Sequence, residues 1–217
     1  MPRSFAQPVK GVLFDWDGTL LDSHHADCAA YLAMFRKMDI PWGLRELTRH
    51  YSPNWHQVYR AAGLPRHRWP QADAAWRESY AQHRTELLPG ARSVLRALGR
   101  RHRLGLVTSG DRERVTLQLR RFRLLRVFSA RVCSGDTARR KPHPEPLLLA
   151  LRKMRLNPRA CIYVGDAPQD LQMARRAGVR SVAVLGAFST EEQLLAARPH
   201  LLLESLEDLP RALRELT

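Results

Sequence analysis

The stretch Val12–Ser23, VLFDWDGTLLDS, places two carboxylates, Asp15 and Asp17, at the mouth of a short apolar run and then turns on Gly18. A strand that merely ended would need one turn residue, not two acids. The run Val9–Asp15 reads as a buried strand, and residues two apart on an extended chain point to the same side. Asp15 and Asp17 could therefore face one ligand. The Asp-Gly pair alone is also an ordinary turn signal, so its meaning depends on the rest of the chain.

From Ala91 onward, apolar runs alternate with amphipathic ones. Ala91–His102 reads as a helix with Val94, Leu95 and Leu98 on one face, and RLGLVTSG (103–110) as a second strand. A helix follows over 111–124, a third strand in ARVCSGD (130–136), and a helix in EPLLLALRKMRL (145–156) with Pro146 in its first turn. ACIYVGD (160–166) is the fourth strand, APQDLQMARRAG (167–178) a helix that Gly178 stops, and RSVAVLG (180–186) the fifth strand. A last short strand and a terminal helix close the chain. This alternation predicts an α/β fold with a Rossmann-like parallel sheet and helices on both faces. The continuous apolar character of the strands fits a sheet covered on both sides.

The segment from about Leu21 to Leu88 differs. Four stretches, 24–38, 43–51, 53–63 and 72–88, read as helices and none reads as a strand. Ser52 with Pro53 resembles an N-cap with a first-turn proline, and Gly63 a stop. All tryptophans except Trp16 lie there. The expected organisation is a core of residues 1–20 and 88–217 with an all-helical unit of residues 21–87 inserted after the first strand.

Ligands of open parallel sheets sit beyond the carboxyl ends of the strands. Asp15 and Asp17 follow strand one, Thr108, Ser109 and Gly110 close strand two, and Asp166 and Asp170 follow strand four. Lys141 precedes the helix after strand three. Crowded carboxylates call for a divalent cation, and oxygen-only ligands suit Mg²⁺. A lysine supplies a point charge for phosphate oxygens, and the threonine hydroxyl and loop amides can donate to the same oxygens. The residue types point to a cation-plus-phosphate site with one aspartate as nucleophile and the other as acid/base, but do not decide which is which.

Four motifs in order, DWDGT (15–19), VTSG (107–110), KPHPEP (141–146) and VGDAPQD (164–170), resemble those of the haloacid dehalogenase superfamily of phosphotransferases. The segment from KPHPEP to MARRAG is closest to its phosphoglycolate-phosphatase-like members, and the helical insertion resembles their C1-type cap. The resemblance implies Asp15 as nucleophile forming an aspartyl-phosphate and Asp17 as general acid/base. It implies Mg²⁺ held by Asp15, the main-chain carbonyl of Asp17 and Asp166, with Asp170 in support. Thr108 and Lys141 would hold the phosphoryl group, and Gly18 and Thr19 would shape the turn toward the cap. Asp17 separates phosphatases from the family's dehalogenases and phosphonate hydrolases, which lack it. Trp16 is bulkier than the aliphatic residue common between the two aspartates, and Ser109–Gly110 stand where an asparagine is frequent.

The implied activity is Mg²⁺-dependent hydrolysis of a small phosphomonoester. A β-phosphoglucomutase-like sugar-phosphate mutase or a pyrophosphatase on the same core are the alternatives. The net charge of +15 raises a nucleic-acid-binding protein as a remote one. Against it, the cations are spread as pairs such as Arg100–Arg101, Arg120–Arg121, Arg139–Arg140 and Arg175–Arg176, and no nucleic-acid-binding pattern occurs. All but four of the 36 basic residues are arginine. A basic surface also attracts anionic substrates. No run is long and apolar enough to span a membrane, and MPRSFAQPVKGVLFD (1–15) carries no leader pattern, so a cytoplasmic protein is expected; as to assembly, a monomer or homodimer is expected, a choice the sequence does not make. Cys28, Cys133 and Cys161 lack metal or redox spacing. In the insertion, His24 and His25 read as solvated helix-start residues, Trp55 and Tyr59 as core, and Arg49 as a possible carboxylate partner. Arg112 and Arg114 are expected to face solvent.

Overall fold

The computed structural model describes residues 8–216; residues 1–7, including half of the stretch inspected for a leader, lie outside it. The chain divides into two compact units, one of Asp22–Glu86 and one comprising the rest.

The larger unit is a six-stranded parallel sheet. Its strands are β1 (Gly11–Phe14), β4 (Arg103–Asp111), β5 (Ala130–Ser134), β6 (Cys161–Gly165), β7 (Arg180–Val184) and β8 (Leu201–Leu203), in the order β5-β4-β1-β6-β7-β8. Phe14 stands opposite Leu106 on one side and Val164 on the other. β1 is thus central, and the chain runs outward from it in both directions. That is the point where a doubly wound sheet opens a crevice at its carboxyl edge.

The two-residue period sorts side chains into two cores. Val12, Phe14, Leu104, Leu106, Ile162 and Val164 pack with α5 (Ala91–Leu98), α6 (Arg112–Arg121) and the terminal helix α10 (Leu209–Leu216). Leu13, Val107, Cys161 and Tyr163 pack on the opposite face with α7 (Glu145–Met154) and α8 (Pro168–Arg176). Each fully buried Val, Leu, Ile or Phe contributes about 1.5–3 kcal/mol of transfer free energy. Helix α9 (Glu191–Ala196), which the sequence pattern did not single out, packs Leu194 against Leu171 and Ala183.

The inserted unit holds α1 (His24–Lys37), α2 (Leu44–His50), α3 (Trp55–Ala61) and α4 (Trp69–Tyr80). Their core gathers Tyr31, Met34, Phe35, Leu47, Val58, Tyr59 and Leu64, with Trp42, Trp55, Trp69 and Trp76 packed around it. Three expectations are corrected. The last helix ends at Tyr80, not near Leu88, and the remainder returns through β3 (Glu86–Leu87), which pairs with β2 (Leu21–Asp22). So the segment does contain strand, in pairs too short to show a period. The residue preceding α3 is Asn54, not Ser52; the Ser52 hydroxyl instead accepts the Asn54 N–H and donates to Gln57.

Among the described residues no helix is long and apolar enough to cross a membrane. The three cysteines are free, and burial pushes the thiols of Cys133 and Cys161 up to about 11.

Candidate active site

The chain beyond β1 folds back at once. The Asp15 N–H donates to the Val164 carbonyl, and the Leu20 and Leu21 amides both donate to the Trp16 carbonyl. Gly18 takes φ +80°, the left-handed region, and a Cβ there would collide with the Asp166 carboxylate. Glycine is required twice over, by conformation and by close approach.

Asp15, Asp166 and Asp170 converge: one carboxylate oxygen from each lies within 4.8 Å of the others, and all three residues are buried. Lys141, 2% exposed, comes from the loop between β5 and α7 and donates to Asp15 Oδ1 at 2.7 Å while its Nζ lies 2.8 Å from Asp170 Oδ1. Asp170 Oδ2 accepts the Ala167 N–H, and the Thr19 hydroxyl donates to Asp166 Oδ1 at 2.7 Å. The Tyr163 hydroxyl sits 2.8 Å from the Val107 carbonyl and 3.3 Å from Asp170 Oδ1, and Lys141 Nζ lies 5.4 Å from its ring centre.

Burial dominates the electrostatics. It lifts the Asp15 carboxyl to about 7, with Lys141 pulling back and Asp170 adding to the rise. It also raises Asp166 well above the carboxylate range, with Asp15 and Asp170 adding repulsion. Burial would lower the Lys141 ammonium, but Asp15 and Asp170 outweigh it and hold it up at about 12. Ionised together, three buried carboxylates would outweigh the one ammonium, and a divalent cation would balance them. That oxygen-only, hard donor set fits Mg²⁺, and the cradle is lined by Gly18, Gly165 and Gly186, where a Cβ would press on Asp166 or Asp170.

The other expected residues fall as follows. Thr108 is buried on β4, two positions past Leu106, the partner of Phe14; its hydroxyl accepts the Gly110 N–H at 3.0 Å. Ser109 is half-buried and Gly110 buried beside it. The Asp17 side chain stands apart from the three-carboxylate cluster. Both its oxygens are taken by Arg114, Nη1 to Oδ1 at 2.9 Å and Nη2 to Oδ2 at 2.7 Å. Arg114 therefore does not face solvent: its side chain is 15% exposed, folded onto Asp17 from the first turn of α6, which Asp111 caps by accepting the Arg114 N–H. Arg112 is the exposed one, paired with Asp136. In the inserted unit, Tyr59 is core and donates to Asp73, with Trp55 packed beside that core. Arg49 is exposed, His24 half-buried near Cys28 Sγ, and the His25 ring contacts the Arg84 carbonyl. Arg114, Tyr163 and Gln118 were missed as parts of the site, and Thr19 was given a turn-shaping role without its bond to Asp166; a basic residue in the first turn of the helix after VTSG was the only visible signal for Arg114.

The phosphoglycolate phosphatase of Escherichia coli (strain K12) is 27% identical over 238 residues, covering 95% of this chain and 93% of that one. Among solved structures, a hydrolase from Pseudomonas syringae superposes with TM-score 0.84 at 26% identity, covering 95% of this chain and 98% of that one. A candidate β-phosphoglucomutase from Bacteroides vulgatus, at 24% identity, gives 0.82 with 96% and 89% covered, a likeness of fold. Residues 12–184 match the family model described as haloacid dehalogenase-like hydrolase, and with its four motifs gathered at one sheet edge the chain belongs to that family.

Proposed function

We propose that this hydrolase is a Mg²⁺-dependent phosphatase of small phosphomonoesters, working through an aspartyl-phosphate on Asp15. The convergence of Asp15, Asp166 and Asp170, the first and last of them paired with one buried ammonium, is the observation that carries the reading. Phosphoglycolate, the substrate named for the curated relatives, is the first to try.

In this reading Asp15 attacks phosphorus as the bond from phosphorus to the leaving oxygen breaks. Asp17 gives that oxygen a proton. Water then attacks phosphorus, passes a proton to Asp17, and the Asp15–phosphorus bond breaks, restoring both carboxyl groups. Lys141 and Thr108 hold the phosphoryl oxygens. Asp15, Asp166, Asp170 and the Asp17 main-chain carbonyl would hold Mg²⁺, which when bound neutralises charge on the phosphoryl group.

The test is a phosphometabolite panel with Mg²⁺, including phosphoglycolate, p-nitrophenyl phosphate, pyrophosphate and hexose 1-phosphates, scored for both free phosphate and isomer. Phosphate release that vanishes in Asp15→Asn is expected. Isomer without phosphate, release from pyrophosphate alone, or an Asp15→Asn variant that still turns over would each refute the reading.

A further inference from the structure

Several departures from the family pattern meet at one place. Trp16, fully buried, donates its indole N–H to Gln118 Oε1 at 2.8 Å. The same oxygen lies 3.4 Å from Arg114 Nη1, one helical turn away on α6. Arg114 Nε lies 3.6 Å from Asp111 Oδ2. The guanidinium rests over Gly110, where any Cβ would collide with Nη2 of Arg114. The bulky residue between the two aspartates, the glycine in the second motif and the arginine after it thus form one brace, and it ends in a two-bond fork on Asp17.

A fork of this kind fixes the plane of a carboxylate as well as its position; a lysine, as a point charge, fixes neither as well. We propose that Arg114, seated against Gly110 and braced through Gln118 by Trp16, is the positioning residue of Asp17. It holds that carboxylate away from the cation cluster and in a fixed plane, so that the lone pairs not taken by the guanidinium are the ones left to carry the proton it gives and takes. The proposal rests on the acid/base reading of Asp17.

The test uses the full chain with Mg²⁺ and two aryl esters, p-nitrophenyl phosphate and phenyl phosphate. The phenolate of the second is more basic and depends more on a proton. Because kcat/KM reports the first phosphoryl transfer, Arg114→Met should lower it on phenyl phosphate by about 10–100-fold, the scale of a misplaced catalytic group, and by less on p-nitrophenyl phosphate. Gly110→Ala keeps the guanidinium but displaces it, and should shift the ratio of the two substrates in the same direction. In an Asp17→Asn background, Arg114→Met should add little further loss. Melting temperatures confirm folding; if Arg114→Met does not fold, Arg114→Lys, which keeps the charge and loses the fork, carries the same comparison. Equal losses on both esters, or an undiminished loss in the Asp17→Asn background, overturn the proposal. Full activity of Asp17→Asn on phenyl phosphate removes the acid/base reading itself, and is visible without touching Arg114.

Discussion

Lys141 brings one positive charge into a space shared by three carboxylates, and its removal has a defined pH signature. An acid whose native pKa is raised binds its proton more tightly folded than unfolded, so stability is full below the unfolded value and falls as pH rises toward the native one. For Asp15 that window runs from 3.8 to about 7 with Lys141 in place. Lys141→Met removes the group that opposes the rise, so the window extends upward and the loss deepens with pH. In metal-free protein the variant should lose about 3–5 kcal/mol near about pH 8, the cost of orphaning a buried charge, and less in acid. Parallel curves of melting temperature against pH for the variant and the parent chain would sink this account. The presence of Asp15, Asp17, Lys141, Asp166 and Asp170 was legible because each stands in a motif at a strand end or in the loop or helix start that follows one. The fork on Asp17 was not: its two partners are 97 residues apart, and nothing local to Arg114 distinguishes it from the exposed Arg112 two positions earlier.

At the scale of elements, strands that form continuous apolar runs and helices with an apolar stripe could be read directly, and so could the stop at Gly178. What failed was short or set by distant pairing. The two-residue strands β2 and β3 exist only because each finds the other across the inserted unit, and the end of α4 at Tyr80 has no proline or glycine to mark it. Two glycines separate structural from functional demand. Gly178 takes φ +70° with nothing within 4 Å of an added Cβ, so Gly178→Ala should cost about 1–2 kcal/mol of stability and leave turnover intact. Gly18 takes a similar φ but lies against Asp166. Gly18→Ala should lose comparable or greater stability and, by moving Asp166, also cut kcat at least about tenfold. Denaturant melts paired with initial rates separate the two effects; equal turnover in both variants would show that the turn after β1 tolerates the displaced carboxylate.

Charge is a property of the whole molecule, and here it is uneven along the chain. Within Asp22–Glu86 nine arginine or lysine residues face seven aspartate or glutamate residues, so nearly all of the +15 belongs to the sheet-bearing unit. Composition alone suggested nucleic acid as one partner for such a charge. The same charge would also suit a phosphate hydrolase: ionised carboxylates at the ends of β1 and β6 repel a phosphate ester, and the net positive charge of the same unit would offset that repulsion at long range. This long-range field is what salt removes first. Between about 0.01 and about 1 M ionic strength the Debye length shrinks from about 30 to about 3 Å. The value of kcat/KM for a dianionic phosphomonoester should therefore fall steadily over that range while kcat changes little, because the Lys141 pairs are buried and screened far less. Steady-state rates at fixed Mg²⁺ and varied KCl measure both numbers. A flat kcat/KM would show that the excess charge plays no part in drawing substrate to the site, and a parallel fall in kcat would place the salt effect on the buried cluster instead.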